Sequence, residues 1–121
     1  MAAHRPSIFI YTAKADPDYL KEICAGIEEE GIFYEISEFA ELDLDTLAYE
    51  AASESILGSG IGIAGKRIAL QMRMLPKGRN VCELHAPTFA QCRSLGANSA
   101  RAVKKMPFKE LYGGRELRTA K

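Results

Sequence analysis

Glu28, Glu29 and Glu30 stand in a row before Gly31 and form the longest run of acidic residues in the chain. Carboxylate oxygens are hard donors, suited to a divalent cation or to basic groups on another protein. Three other constellations imitate chemistry. Gly60, Gly65 and Lys66 have the spacing of a phosphate-binding P-loop, but position 67 is Arg where a magnesium-binding Ser or Thr belongs, and Ile68 onward has strand period. Gly58, Gly60 and Gly62 suggest a dinucleotide loop but precede no helix, so a close-packed strand accounts for them better. Cys82, His85 and Cys92 offer soft metal ligands without a fourth at finger-like spacing, and buried thiols explain them more simply. With only His4 and His85 available, no Ser/His/Asp or Cys/His centre is placed.

The elements that must hold these residues follow from periodicity. Ser7 to Thr12 is a nearly continuous apolar run, expected as the first, buried strand. Asp16-Pro17 supplies an N-cap and a first-turn proline, opening a helix from about residue 17 to 30. On a wheel of roughly 100° per residue, Leu20, Ile23, Cys24 and Ile27 share one stripe; Glu29 points away from it and Glu28 and Glu30 flank it. Gly31 suits the left-handed position beyond the helix end. Acidic residues there oppose the helix dipole, so stability within the helix does not account for them.

Phe33 to Ile36 reads as a second strand, and Asp43 caps a helix in which Leu44, Leu47, Ala48 and Ala51 keep helical spacing. Gly60 to Met74 has strand period on both sides of Ala64-Gly65-Lys66-Arg67, which predicts an antiparallel hairpin. Val81 to Leu84 is a further strand. Thr88 with Gln91 is a capping box for a last helix whose inner face is expected at Phe89, Cys92, Gly96, Ser99 and Val103. Small residues at 96, 97, 99 and 100 suit close approach to the sheet or to a partner. The predicted fold is a single α/β domain over residues 1–111, mostly parallel with one antiparallel hairpin and flanked by helices, followed by a polar tail, 112–121, expected to be flexible.

Composition narrows the function classes. Sixteen basic and sixteen acidic residues cancel, which disfavours nucleic acid as a partner. Three cysteines and a polar start without a secretory signal predict reduced thiols in the cytoplasm. No apolar run approaches the ~18 residues of a membrane helix.

The order of segments carries a resemblance. Ile23-Cys24-Ala25-Gly26-Ile27-Glu28-Glu29-Glu30-Gly31-Ile32, then Ala51-Ala52 through Ser55 and Leu57 to Gly60-Ile61-Gly62-Ile63, then Ile68-Ala69-Leu70, resembles the small subunit of the glycerol and diol dehydratase reactivating factors. The run from Arg93 to Lys104 with Met106-Pro107-Phe108 is similar to the same family, so the likeness extends from about Ile8 to Leu111. The chain departs from the family at Glu54-Ser55-Ile56-Leu57, where members often carry Ser-Ser-Pro-Leu.

The resemblance implies a fold similar to the dehydratase medium subunit and no catalytic centre or cofactor in this chain. It implies a large actin-like partner subunit that binds and hydrolyses ATP, in a heterotetramer of two large and two small subunits. The client would be an adenosylcobalamin-dependent glycerol or diol dehydratase, released from damaged cobalamin by subunit exchange in the ADP state. It further implies that Glu29 ligates a divalent metal, magnesium or calcium, shared with the large subunit, with Glu28 and Glu30 beside it in the interface. The expected location is the cytoplasm, in or beside a bacterial microcompartment. Two other classes compete. A cobalamin-type binding module of similar architecture would need the Asp-x-His-x-x-Gly signature, which is absent, and a flavodoxin-shaped redox or phosphotransfer enzyme would need a Cys-x-x-Cys pair or an acidic pocket near the first strand.

Overall fold

The apolar run near the start forms β1 (Ser7–Ala13), whose residues are nearly all buried because strands pair with it on both sides. The computed structural model describes residues 5–41 and 43–111; His4 and the 112–121 tail lie outside the described residues. Asp16 caps α1 (Pro17–Glu29) by accepting the Asp18 and Tyr19 amides, and Gly31 takes a φ of +78° past its end. The chain continues through β2 (Phe33–Glu38), α2 (Leu44–Glu54), β3 (Ser59–Ala64), β4 (Arg67–Met72), β5 (Cys82–His85) and α3 (Phe89–Lys104).

The sheet order is β2-β1-β3-β4-β5. β1 pairs in parallel with β2 and β3, while β4 is antiparallel to both β3 and β5. Four strands therefore run one way and β4 alone runs back, in agreement with the expected mostly parallel sheet with a hairpin. Gly65 and Lys66 make its two-residue turn, with Gly65 at a φ of +62°. Met74, expected to extend the β4 alternation, lies beyond the strand and is 88% exposed, because β4 loses its β3 partner after Met72.

α1 and α3 cover one face, over a core that includes Ile8, Ile10, Ile61, Ile63, Ile68 and Leu95. α2 covers the other, packing Leu44, Leu47, Ala48 and Ala51 on Tyr11 and Ala69. Gly60 lets α2 lie directly on β3, since a Cβ there would sit 2.1 Å from the Ala52 nitrogen. The small residues of α3 serve contact with α1: a Cβ at Gly96 would stand 2.1 Å from the Ile23 carbonyl oxygen, and one at Gly26 2.1 Å from that of Arg93. The sheet was one expected neighbour for this stripe, and α1 is the principal one. Phe89, expected on the inner face, is 52% exposed and stands edge-on to Tyr19 with ring centroids 6.0 Å apart, while the burial of α3 begins at Gln91 and Cys92.

Candidate interface at the acidic end of the first helix

The three glutamates occupy three different environments. Glu30, the C-cap of α1, has a side chain only 9% exposed and accepts from Arg101 Nε at 2.9 Å and Lys104 Nζ at 2.9 Å. Lys104 Nζ also donates to the Glu30 backbone carbonyl at 2.8 Å. A base from α3 thus neutralises a terminal carbonyl of α1 as well as the carboxylate, which is how a helix C-terminus is stabilised. The Lys104 hydrogen bond, opposed by burial and aided by Arg101, holds the Glu30 carboxyl below its ordinary value. The wheel placed Glu30 beside the apolar stripe, and its position between α1 and α3 follows from that.

Glu29 remains half exposed at 47%, with Oε2 2.9 Å from Arg93 Nη1. Arg93 also meets Glu22, Nη2 to Oε1 at 3.0 Å, so one guanidinium bridges two turns of α1. Glu28 faces the sheet margin and accepts the Tyr34 hydroxyl at 2.7 Å. That hydrogen bond and then burial push the Tyr34 phenol upward. The apparent conflict with the α1 dipole is resolved within the chain for Glu30, whereas Glu29 keeps an accessible carboxylate at a rigid helix end.

Arg93, Arg101 and Lys104 were not singled out in the sequence, yet a signal exists. α3 contains these three bases and no acid, and at roughly 100° per residue they fall within about 80° of one another. A basic helix side beside an acidic helix end predicts the pairing once the two helices are placed together. Gln71 was also missed: it is fully buried in β4, donating to the Pro76 carbonyl at 3.1 Å and accepting the Met72 amide at 3.0 Å.

The other constellations hold no chemistry. The Gly65 amide donates to the Ala13 carbonyl at 3.1 Å and the Gly65 carbonyl accepts from Asp16, so the turn is tied into the fold and presents no anion cradle. Cys24, Cys82 and Cys92 are buried thiols that form no disulfide, and burial pushes Cys92 up to about 12, which disfavours the thiolate a metal needs. His85 is exposed beside Glu83 at 3.8 Å. Among the described residues no three His, Cys, Asp or Glu side chains gather for a metal, and no helix is long and apolar enough to cross a membrane.

Comparisons with known proteins agree with this architecture. The family model of the dehydratase medium subunit matches residues 5–109. The propanediol dehydratase-reactivating factor small subunit of Citrobacter freundii is 34% identical over 111 residues, covering 88% of this chain and 93% of that one. A probable glycerol dehydratase-reactivating factor small subunit from the same organism is 38% identical over 95 residues, covering 76% and 81%. Among solved structures, a glycerol dehydratase reactivase chain superposes with a TM-score of 0.82 at 28% identity, covering 88% of this chain and 98% of its own. A chain of a diol dehydratase-reactivating factor complexed with ADP and Mg2+ gives the same TM-score and identity, over 88% and 100%. The chain therefore belongs to the dehydratase medium-subunit family, among the dehydratase-reactivating factor small subunits.

Proposed function

We propose that this chain is the non-catalytic small subunit of a chaperone-like factor that reactivates adenosylcobalamin-dependent diol or glycerol dehydratase. One observation carries the reading: the chain is similar at once to reactivating-factor small subunits and to the medium subunit of a dehydratase. Two chains of one shape can compete for one site on a large subunit. ATP or ADP on that subunit sets which pairing is favoured, and in the ADP state the dehydratase subunit takes the place of this one, loosening the enzyme so that damaged cobalamin leaves. ATP hydrolysis belongs to the large, actin-like subunit, and two copies of each subunit make the assembly. It works in the cytoplasm, in or beside a microcompartment.

Glu29 fits one position in the shell of a divalent metal shared with the large subunit. It is a hard oxygen donor, half exposed, on a helix end fixed by the α1–α3 packing. The relative complexed with ADP and Mg2+ makes magnesium the natural ion. Since this chain gathers no metal cluster among its described residues, the remaining ligands come from the partner. The ion supplies charge neutralisation across the interface, and Glu28 and Glu30 lie beside it.

Co-purification from the native cell with and without ADP tests the reading. An actin-like ATPase is expected without ADP and is lost with it; recovery of neither that ATPase nor a dehydratase overturns the assignment. Glu29→Arg is expected to weaken binding to the large subunit at least tenfold by titration calorimetry, and unchanged affinity removes Glu29 from the interface.

A further inference from the structure

β2 is a sheet edge whose order of residues is complementary to itself. It pairs only with β1, over six residues in continuous register without a bulge or a proline. The Phe39 amide donates to the Thr12 carbonyl at 2.7 Å, so the odd-numbered residues direct their backbone toward β1. By the alternation of a parallel ladder, Tyr34, Ile36 and Glu38 direct their amides and carbonyls outward, where no described strand meets them. The opposite edge is shorter: β5 has four residues and is followed closely by Pro87.

Reversed about Ile36 and laid against itself, the segment Phe33-Tyr34-Glu35-Ile36-Ser37-Glu38-Phe39 matches along its length. Outward residues then meet outward residues, with Ile36 opposite Ile36 and Tyr34 opposite Glu38 as hydrogen-bonded pairs. Glu35 stands opposite Ser37, and Phe33 opposite Phe39, at the non-hydrogen-bonded positions where side chains approach most closely. No two carboxylates stand directly opposite each other. Phe33, Ile36 and Phe39 are 52%, 45% and 41% exposed, and this register covers all three, through two Phe–Phe contacts and one Ile–Ile contact.

The grooves beside the edge each hold both signs of charge. Toward α1, one bordered by Tyr34 and Ile36 has Lys21 as well as Glu28; toward α2, one bordered by Phe9 and Ile56 has Arg5 as well as Glu35 and Glu54. A strand of a single charge sign meets repulsion in either groove, whereas a reversed copy does not. α1 runs against β2, with Glu28 bonded to the Tyr34 hydroxyl at 2.7 Å and Lys21 nearly two turns before it. A two-fold axis at Ile36 therefore turns the Lys21 end of each groove toward the Glu28 end of the other. The Arg5 guanidinium, 4.5 Å over the Phe33 ring, keeps a cation beside the Phe33–Phe39 pair.

We propose that this chain pairs with a second copy of itself along β2, antiparallel and centred on Ile36, joining two five-stranded sheets into one continuous sheet. The backbones of Tyr34, Ile36 and Glu38 supply the hydrogen bonds, and the phenylalanine and isoleucine pairs fix the register. One short strand a side makes a small interface, so the dimer forms in concentrated solution and parts on dilution. The proposal rests on β2 and is independent of the role given to Glu29.

The test uses the full chain alone. In sedimentation equilibrium the mass should rise from 13.3 kDa at about 5 μM toward twice that at about 500 μM. Over the same range, amide exchange followed by NMR should slow at least fivefold at Tyr34, Ile36 and Glu38 and stay unchanged at Phe39, which is already bonded to β1. Ile36→Lys and Ile36→Glu each set like charges against one another on the axis, and each should weaken self-association at least tenfold. An equimolar mixture of the two should restore it, because position 36 meets itself only in this register. A chain that stays monomeric at every concentration overturns the proposal and leaves the edge to a strand of another protein. Variants that associate as the parent does, a mixture that stays monomeric, or association without protection of the three amides overturns it too.

Discussion

At the α1–α3 seam, Glu22, Glu29 and Glu30 each meet a base from α3, whereas β2 and the residues just after it, 33–41, carry glutamates at 35, 38 and 41 and no lysine or arginine. The two regions also differ in shape. Gly26 and Gly96 bring the helix backbones at the seam into contact, while β2 keeps large apolar side chains in water. Acidic residues therefore play different parts in the two places. In the seam they are the mortar of a closed surface, and Glu30 above all is spent on the fold; past β2, Glu41 accepts the Asp43 amide at 2.7 Å and serves a local turn. Glu29 stands between the two, paired through one oxygen and half exposed.

The seam is expected to break first and hardest. Gly96→Val places side-chain atoms where the Ile23 carbonyl oxygen would lie 2.1 Å from the first of them, so the helices must separate. A loss of about 3 kcal/mol is expected from urea unfolding, in line with overpacking of a filled interior. A loss under about 0.5 kcal/mol would show the two helices free to part and would dissolve the contrast with the margin. Glu30→Ala comes next. It leaves Arg101 and Lys104, 23% and 31% exposed, without the carboxylate between them, and about 2 kcal/mol should go. An Arg101→Ala cycle should recover part of it as coupling.

Much of this architecture could be read directly from the residues. Asp16-Pro17, Asp43 and the Thr88–Gln91 box open the three helices as their types predict, and the Gly65 turn divides β3 from β4. Local signals of that kind act within a few residues, so they survive folding unchanged. Periodicity, by contrast, tells which face of α3 is small without telling what will lie against it, and α1 rather than the sheet occupies Gly96. The destination of Glu30 depended on Arg101 and Lys104, more than seventy positions away, and that pairing exists only after α1 and α3 are side by side. Phe89 keeps the helical spacing of the inner face yet is 52% exposed, because it is the first residue of α3 and spacing alone does not tell at which turn a helix meets its neighbours.

Acid should separate the two regions by their pH response. The Glu30 carboxyl is held below its ordinary value of 4.5, so its contribution is present in full above that pH and is lost as pH falls through the lower folded value. Unfolding free energy should therefore drop on acidification below about 4.5. Glu30→Gln should flatten part of that slope while remaining less stable at neutral pH. An unchanged slope would mean that the seam's charge is not concentrated at Glu30.

The smallest effects should come from the margin and from Glu29. Ile36 is 45% exposed and makes its backbone contribution outward, so Ile36→Thr keeps a β-branched residue on the edge and should change stability by less than about 0.5 kcal/mol. Glu29→Ala breaks a pair whose members are 47% and 44% exposed, and a cost of about 0.5 kcal/mol fits such a surface contact. Thermal unfolding of the two variants beside Glu30→Ala therefore measures the contrast directly. If Glu29→Ala proved as costly as Glu30→Ala, Glu29 would belong to the mortar of the seam, and a carboxylate so committed could not also be released to a metal held with another subunit. A near-neutral Glu29→Ala leaves that carboxylate available, so that whatever binding it loses must be charged to the interface and not to the fold.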